Sequence, residues 1–533
     1  MAVYEIRSAR GGLSDYEDRG IFGAFKFGSN LDIRKIKDTI SCQQALVDEG
    51  LISGSPSASQ SPSSSPSPSA SPSVSPSASA SPSPGSPSAS VSPSASVSPS
   101  ASASPSSSVS PSVSPSAGLS TVFHDLIHTY VKSIDGSVYG FGNSGYIYRR
   151  DPSNVWTQVY HDPNGAIKGA WEFPARSGDL YMYWATDTQL NRKPIPGLSN
   201  WNDVNADSDW PKTNLTSADW HTMREAGGEL MIANKQTLAM VAYEDQSYTN
   251  NALDLIPGNI SKTIVERNGR TIIGTARAAD PDKGVNAAID TEIPIAQVGD
   301  DGELFFANML DSLPIKRFPG GGKTNPGGVA NEVDQVNFFE WEQTALSWID
   351  KQAVGNMALF GVFGADTGKS GVYSYGRKNK NHPLIMNLEY LLDVTEIGAV
   401  TNFKGTTLIS YQDGTDFGVK AVDSTAKAVG TYEGIDWRPP AKRHIDITKW
   451  NTAEIFCDPL PSGASIEFWY RLNKSGNFVQ AKSADGDTDF DTANGEKGLF
   501  RIGAEGEIFE PRVVLNPTGN NTPEIHRIRI DFD

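Results

Sequence analysis

The chain has 533 residues and a formal net charge of −17, with 45 basic and 62 acidic side chains. That acidic balance excludes nucleic acid as a tight partner, because gripping phosphates needs basic surface. The two cysteines, Cys42 and Cys457, exclude a disulfide-rich scaffold and a cysteine-based structural zinc site.

The opening Met1-Ala2-Val3-Tyr4-Glu5-Ile6-Arg7 has no apolar signal-peptide core, which predicts a protein assembled inside a cell without secretion. The strongest apolar stretch, around Ala358 to Val362, is broken by Gly361 and Gly364 and is too short to span a bilayer. No membrane partner is expected. Within residues 1–52, the stretch from Gly20 to Leu46 alternates, with Phe25 and Phe27, then Leu31 and Ile33. It is too small to fold alone. It is expected to dock on the rest of the chain by completing the last blade of the ring described below, which would hide that blade's edge.

Residues 53–118 are low-complexity. From Ser55 to Ser116 there are 33 Ser and 14 Pro in 62 residues, and no charge. Pro87, Pro93, Pro99, Pro105 and Pro111 are six apart. Nothing in this composition can build a core, so it predicts a disordered Ser/Pro-rich loop with both ends anchored.

Residues 119–436 repeat one phrase, a polar turn with glycine followed by a short apolar strand. It occurs with Gly136, Gly178, Gly228, Gly269, Gly302, Gly371 and Gly405, at a mean interval near 45 residues. Strand–turn–strand content at that period indicates a β-propeller, and seven occurrences predict seven blades. Residues 437–533 lose the phrase. Ile466 to Leu472 and Ile528 to Phe532 have the two-residue alternation of half-buried strands, which predicts a β-sandwich. The fold class expected is therefore all-β: a seven-bladed β-propeller, then a C-terminal β-sandwich, with the Ser/Pro-rich loop inserted.

Catalytic patterns fail at positions the chemistry needs. Gly140-Phe141-Gly142-Asn143-Ser144-Gly145 spells G-x-G-x-x-G, but Tyr146 to Arg150 reads as a strand where pyrophosphate binding needs a helix; a hairpin turn is expected. Gly322-Lys323-Thr324 ends like a phosphate loop, yet Arg317 stands where its first glycine belongs and Pro326 blocks the helix. His124 and His128 have zincin spacing, but Asp125 replaces the glutamate and the context is strand. Glu340 and Glu342 could serve a glycosidase, but such pairs are common on surface strands; Trp156 and Trp201 read as packing residues. The metal candidate is an acidic loop. Asp485, Asp487, Asp489 and Glu496 occupy positions 1, 3, 5 and 12 of a calcium loop, with Phe490 where its glycine should be. It reads either as a weak calcium site or as a solvated hairpin loop. No other cofactor and no catalytic residue is expected.

Gly11-Gly12-Leu13-Ser14-Asp15 with Leu31-Asp32-Ile33-Arg34 resembles the opening segments of tailed-bacteriophage virion propeller proteins, such as nozzle and other tail proteins. Asn516-Pro517-Thr518-Gly519-Asn520-Asn521-Thr522-Pro523-Glu524-Ile525 resembles the closing strands of phage tail β-sandwich domains. The resemblance covers the two ends and the general plan, and transfers no catalytic residue. It implies a structural protein of the virion, assembled in the host cytoplasm, that contacts other virion proteins and copies of itself. The alternative is a carbohydrate-binding or glycan-degrading propeller, a tail depolymerase or adhesin, whose partner would be a host-surface glycan. A third option is a bacterial surface adhesin.

Overall fold

Among the described residues of the computed structural model, every helix-or-strand element is a strand. The structure describes residues 2–6, 12–13, 24–33, 39–49, 123–195, 201, 203–218, 221–255, 259–267, 270–277, 296–298, 356–363, 368–377, 385–439 and 447–533. The turn phrase sets the pattern. Its glycines Gly136, Gly178, Gly228 and Gly405 have φ between 83° and 88°, a region that residues with a Cβ rarely enter, so each turn reverses the chain into an antiparallel hairpin.

The hairpins build six described blades in chain order. The first contains Ile127–Lys132, Val138–Gly142, Tyr146–Arg150 and Trp156–His161. The second contains Gly169–Pro174, Leu180–Ala185 and Leu190–Pro194, and the third begins at Met223–Ala226 and ends at Tyr248–Asp254. The fourth contains Asn259–Arg267, Arg270–Arg277 and Ala296–Val298. The fifth contains Asn356–Val362, Gly371–Arg377 and Ile385–Leu391, and the sixth Glu396–Phe403, Thr406–Asp413 and Asp416–Lys427. The phrase at Gly302 lies outside the described residues.

The first strand of each blade meets its counterpart in the next, from the first blade through the fourth, from the fifth to the sixth, and from the sixth back to the first. That succession is a β-propeller, and the chain is all-β as its periodicity predicts. Close approach of these inner strands depends on glycine. A Cβ on Gly398 would lie 2.3 Å from the Ile127 carbonyl oxygen, and one on Gly169 would lie 1.9 Å from that of His221. Between blades lie apolar seams. Phe123, Tyr148, Trp156, Leu408 and Val419 join the sixth blade to the first, and Tyr139, Phe141, Trp184 and Trp201 join the first to the second.

Beyond the ring, two sheets enclose one core of Trp450, Phe468, Phe500, Phe509, Ile528 and Ile530, all buried. One sheet orders Ala2–Ile6, Ile525–Phe532, Thr448–Cys457, Lys497–Gly506 and Lys482–Ser483. The other contains Gly430–Gly434, Phe509–Asn516, Ser465–Leu472 and Val479–Gln480. This pair of sheets takes strands from well before Trp437, because Gly430–Gly434 and Ala2–Ile6 find their open edges there. Both cysteines are buried, and burial pushes the Cys457 thiol up to about 11.

The N-terminal residues connect the two parts. Gln44–Glu49 pairs antiparallel with Asp416–Lys427 as the outer strand of the sixth blade. Ala24–Ser29 lies between Ile385–Leu391 of the fifth blade and Gly430–Gly434, which makes one nine-stranded sheet running from the ring into the C-terminal layer. The alternating apolar residues divide accordingly. Phe25, Leu31 and Ile33 enter the C-terminal core, where Phe25 packs against Tyr432 with ring centroids 5.6 Å apart. Phe27 lies under the Lys369 ammonium, 4.1 Å from its ring centroid. On a regular strand Phe25 and Phe27 would share a face; the register shifts between them, with Glu433 opposite Phe27 and Gly434 opposite Phe25, and the extra residue Lys26 lets the two rings part.

Candidate functional site

The acidic loop is held by turns and by a strand bridge. Gly486 N–H donates to the Ser483 carbonyl, and Asp487 N–H donates to Ser483 Oγ at 3.2 Å. Phe490 then bridges to Ile466, turning the chain away before Glu496, whose carbonyl accepts the Cys457 N–H. Asp485, Asp487 and Glu496 are exposed and Asp489 is half-buried. Among the described residues no group of three or more His, Cys, Asp or Glu side chains is placed to hold a metal ion, so this loop does not gather its carboxylates.

The other singled-out residues separate in a similar way. Gly140 and Gly142 lie in a strand that pairs with Tyr146–Arg150, which makes the glycine pattern a hairpin. His124 is exposed, whereas His128 is buried within the strand Ile127–Lys132, where burial lowers its pKa to about 4. Asp125 turns inward and accepts from Ser144 N–H; burial raises its carboxyl to about 6 despite that bond. Trp156 and Trp201 are inter-blade packing residues. Arg317, Gly322, Lys323, Thr324, Pro326, Glu340 and Glu342 lie outside the described residues.

One constellation was not legible in the sequence. Where the Ser133–Ser137 turn of the first blade meets the inner strand of the second, a polar nest forms from Ser133, Asp135, Ser137, Tyr139, Arg149 and Glu172. Ile134 N–H donates to Glu172 Oε1 at 2.9 Å, and Ser137 N–H to Asp135 Oδ1 at 2.8 Å. Arg149 Nη2 is 3.5 Å from Asp135 Oδ2. Arg149 reaches the Tyr139 hydroxyl and Ser133 the Glu172 carboxylate, while Ser137 Oγ is buried among them without a hydrogen-bond partner in the described residues. Burial raises the pKa values of both Glu172 and Tyr139. A raised carboxyl, a phenol and a guanidinium buried together can share a water that both donates and accepts hydrogen bonds. The signal available beforehand was the turn phrase around Gly136; nothing local connects it with Glu172.

At the other end of the same strands, the first blade carries an aromatic shelf. His161 stacks on Tyr146 with centroids 4.2 Å apart, and His124 lies 5.5 Å from the same ring. Both histidines are exposed.

No protein-family model matches the chain, and no curated protein sequence matches it. Solved structures similar to it include a virginiamycin B lyase from Staphylococcus aureus, at 9% identity over 57% of this chain and 97% of that one, TM-score 0.30. The β-propeller domain of Cps50 (Swd1) from Myceliophteria thermophila is 8% identical over 56% and 96%, TM-score 0.31. An auxiliary nutrient binding protein from Bacteroides ovatus is 10% identical over 57% and 70%, TM-score 0.32. These likenesses bring no residue across to this chain; its propeller architecture stands on its own strand pairings.

Proposed function

We propose that this protein is a structural component of a tailed-phage virion, in the tail or another exposed position, and that it works by assembly with copies of itself and other virion proteins. The observation that carries this reading is the strand Ala24–Ser29, which makes one sheet of the fifth blade and the C-terminal layer. A ring and a second β unit joined by a shared sheet resist relative motion, which suits a part that bears load and offers broad faces to neighbours. The resemblance of both chain ends to virion propeller proteins supports the same reading. So does the net charge of −17, which lets DNA pass without capture. Electron microscopy of purified particles, labelled with an antibody against this chain, tests it. Label at a fixed position on the particle is expected; recovery only as a free monomer that cleaves a polysaccharide overturns it.

The second reading is a carbohydrate-binding propeller. It is favoured by the Tyr146–His161 shelf, since a sugar needs a ring to stack on beside polar groups. Glycan binding that is lost in both Tyr146→Ala and His161→Ala would promote it.

A further inference from the structure

We infer that residues 2–49 are a clip held in place by its strand pairing and side-chain burial, so that the chain can be severed anywhere within 50–122 without losing it. The first argument is where the clip's strands go. Ala2–Ile6 joins the outer edge of the C-terminal sheet, Ala24–Ser29 lies inside the nine-stranded sheet, and Gln44–Glu49 completes the sixth blade. Between them Phe25, Leu31, Ile33, Ile40 and Cys42 are all buried in the C-terminal core. Polar contacts secure the middle and the end. Lys26 Nζ is 2.6 Å from Glu510 Oε1 and 3.0 Å from Asp436 Oδ1. Glu49 receives Arg150 and the Trp156 indole N–H from the first blade.

The second argument is where the chain leaves and returns. Glu49 pairs with Val419, and Phe123, the next described residue, bridges to Phe417. Both anchors therefore lie on one strand, Asp416–Lys427, two positions apart, or roughly 7 Å at the ordinary rise of a strand. The 73 residues from 50 to 122 connect points that a few residues could join. Each anchor is held by its own pairing.

The third argument is where the clip begins. Ala2 pairs with Phe532, so the chain's start lies beside its last strand. In space the clip continues from Asp533. The strands of 2–49 and of 123–533 make all the described pairings between them, with none drawn from 50–122. A chain of this layout keeps its ring closed after proteolysis in the Ser/Pro-rich segment. This holds whether or not the protein belongs to a virion.

The test uses the folded full-length protein with one site-specific protease sequence placed mid-way in 50–122. After cleavage, two bands are expected on a denaturing gel, but one species by native mass spectrometry and size exclusion, with an unchanged melting temperature. Release of the N-terminal fragment on dilution overturns the inference. A permutant that joins Asp533 to Met1 through a short Gly/Ser linker and opens the chain within 50–122 is expected to fold and melt like the parent; an insoluble permutant counts against it. In the cleaved protein Phe25→Ala is expected to speed fragment release at least tenfold. Should that variant not fold, Lys26→Met is read instead. No acceleration in the variant read would show that these contacts are not what holds the clip.

Discussion

Removing the Glu49 carboxylate tests how the N-terminal residues close the ring. Arg150 is 5% exposed and gives Glu49 two parallel hydrogen bonds, Nε to Oε2 at 2.6 Å and Nη2 to Oε1 at 2.5 Å. Trp156 Nε1 adds a third at 3.2 Å to Oε2. These groups lie where the outer strand of the sixth blade meets the first blade, so Glu49→Ala leaves a guanidinium and an indole N–H facing a dry seam. Breaking a buried ion pair from one side costs about 3–5 kcal/mol, most of it the stranded charge. Replacing both partners by apolar groups of similar volume is close to neutral. Glu49→Ala is therefore expected to lose about 3–5 kcal/mol in urea-induced unfolding. The double variant Glu49→Leu/Arg150→Met is expected to recover most of that, leaving a coupling of at least ~2 kcal/mol between the positions. A single variant within about 1 kcal/mol of the parent would refute the reasoning, as would a double variant no more stable than Glu49→Ala.

Three further outcomes follow from the geometry. Gly169→Ala would put a methyl 1.9 Å from the His221 carbonyl oxygen, which is backbone and cannot swing aside; a loss of about 3 kcal/mol or more is expected in denaturant melts, and a loss under 1 kcal/mol would contradict the close inner-strand packing. Buried His128, lowered to about 4, binds its proton more weakly in the folded chain than in the unfolded one, so its contribution falls by about 3 kcal/mol as pH drops from 6.5 to 4. Asp125, raised to about 6, has the opposite sign over nearly the same window, so the parent is expected to show a shallow pH profile and Asp125→Asn a steep acid loss; equal slopes for the two would sink this account. Calcium is expected to leave the melting temperature unchanged, since the carboxylates of Asp485, Asp487, Asp489 and Glu496 do not gather. A saturable upward shift, abolished by Asp487→Asn, would reverse that.

Local chemistry decides what is local here. A glycine with φ near 85° flanked by apolar runs makes a hairpin wherever it occurs, so the repeated phrase announces blades without knowledge of their neighbours. The two-residue alternation in Ser465–Leu472 and Ile525–Phe532 likewise specifies strands with one buried face. Alternation does not name the partner. Phe25 and Leu31 announce a need for burial, but the core that receives them is made of Trp450, Phe509 and Ile528, more than 400 positions away. Their docking on the C-terminal sheets as well as on the ring is a tertiary outcome, decided by which open edges remain once the hairpins have formed. The nest of Tyr139, Arg149 and Glu172 has the same origin: three ordinary residues on different strands are brought together only where two blades meet, and burial there raises the pKa values of Tyr139 and Glu172. In the acidic loop the spacing of Asp485, Asp487, Asp489 and Glu496 suits calcium, but the bridge from Phe490 to Ile466 holds the backbone extended where a calcium loop must turn sharply. Turns and alternation are short-range and survive translation into sequence; edges, seams and recesses exist only when distant segments meet.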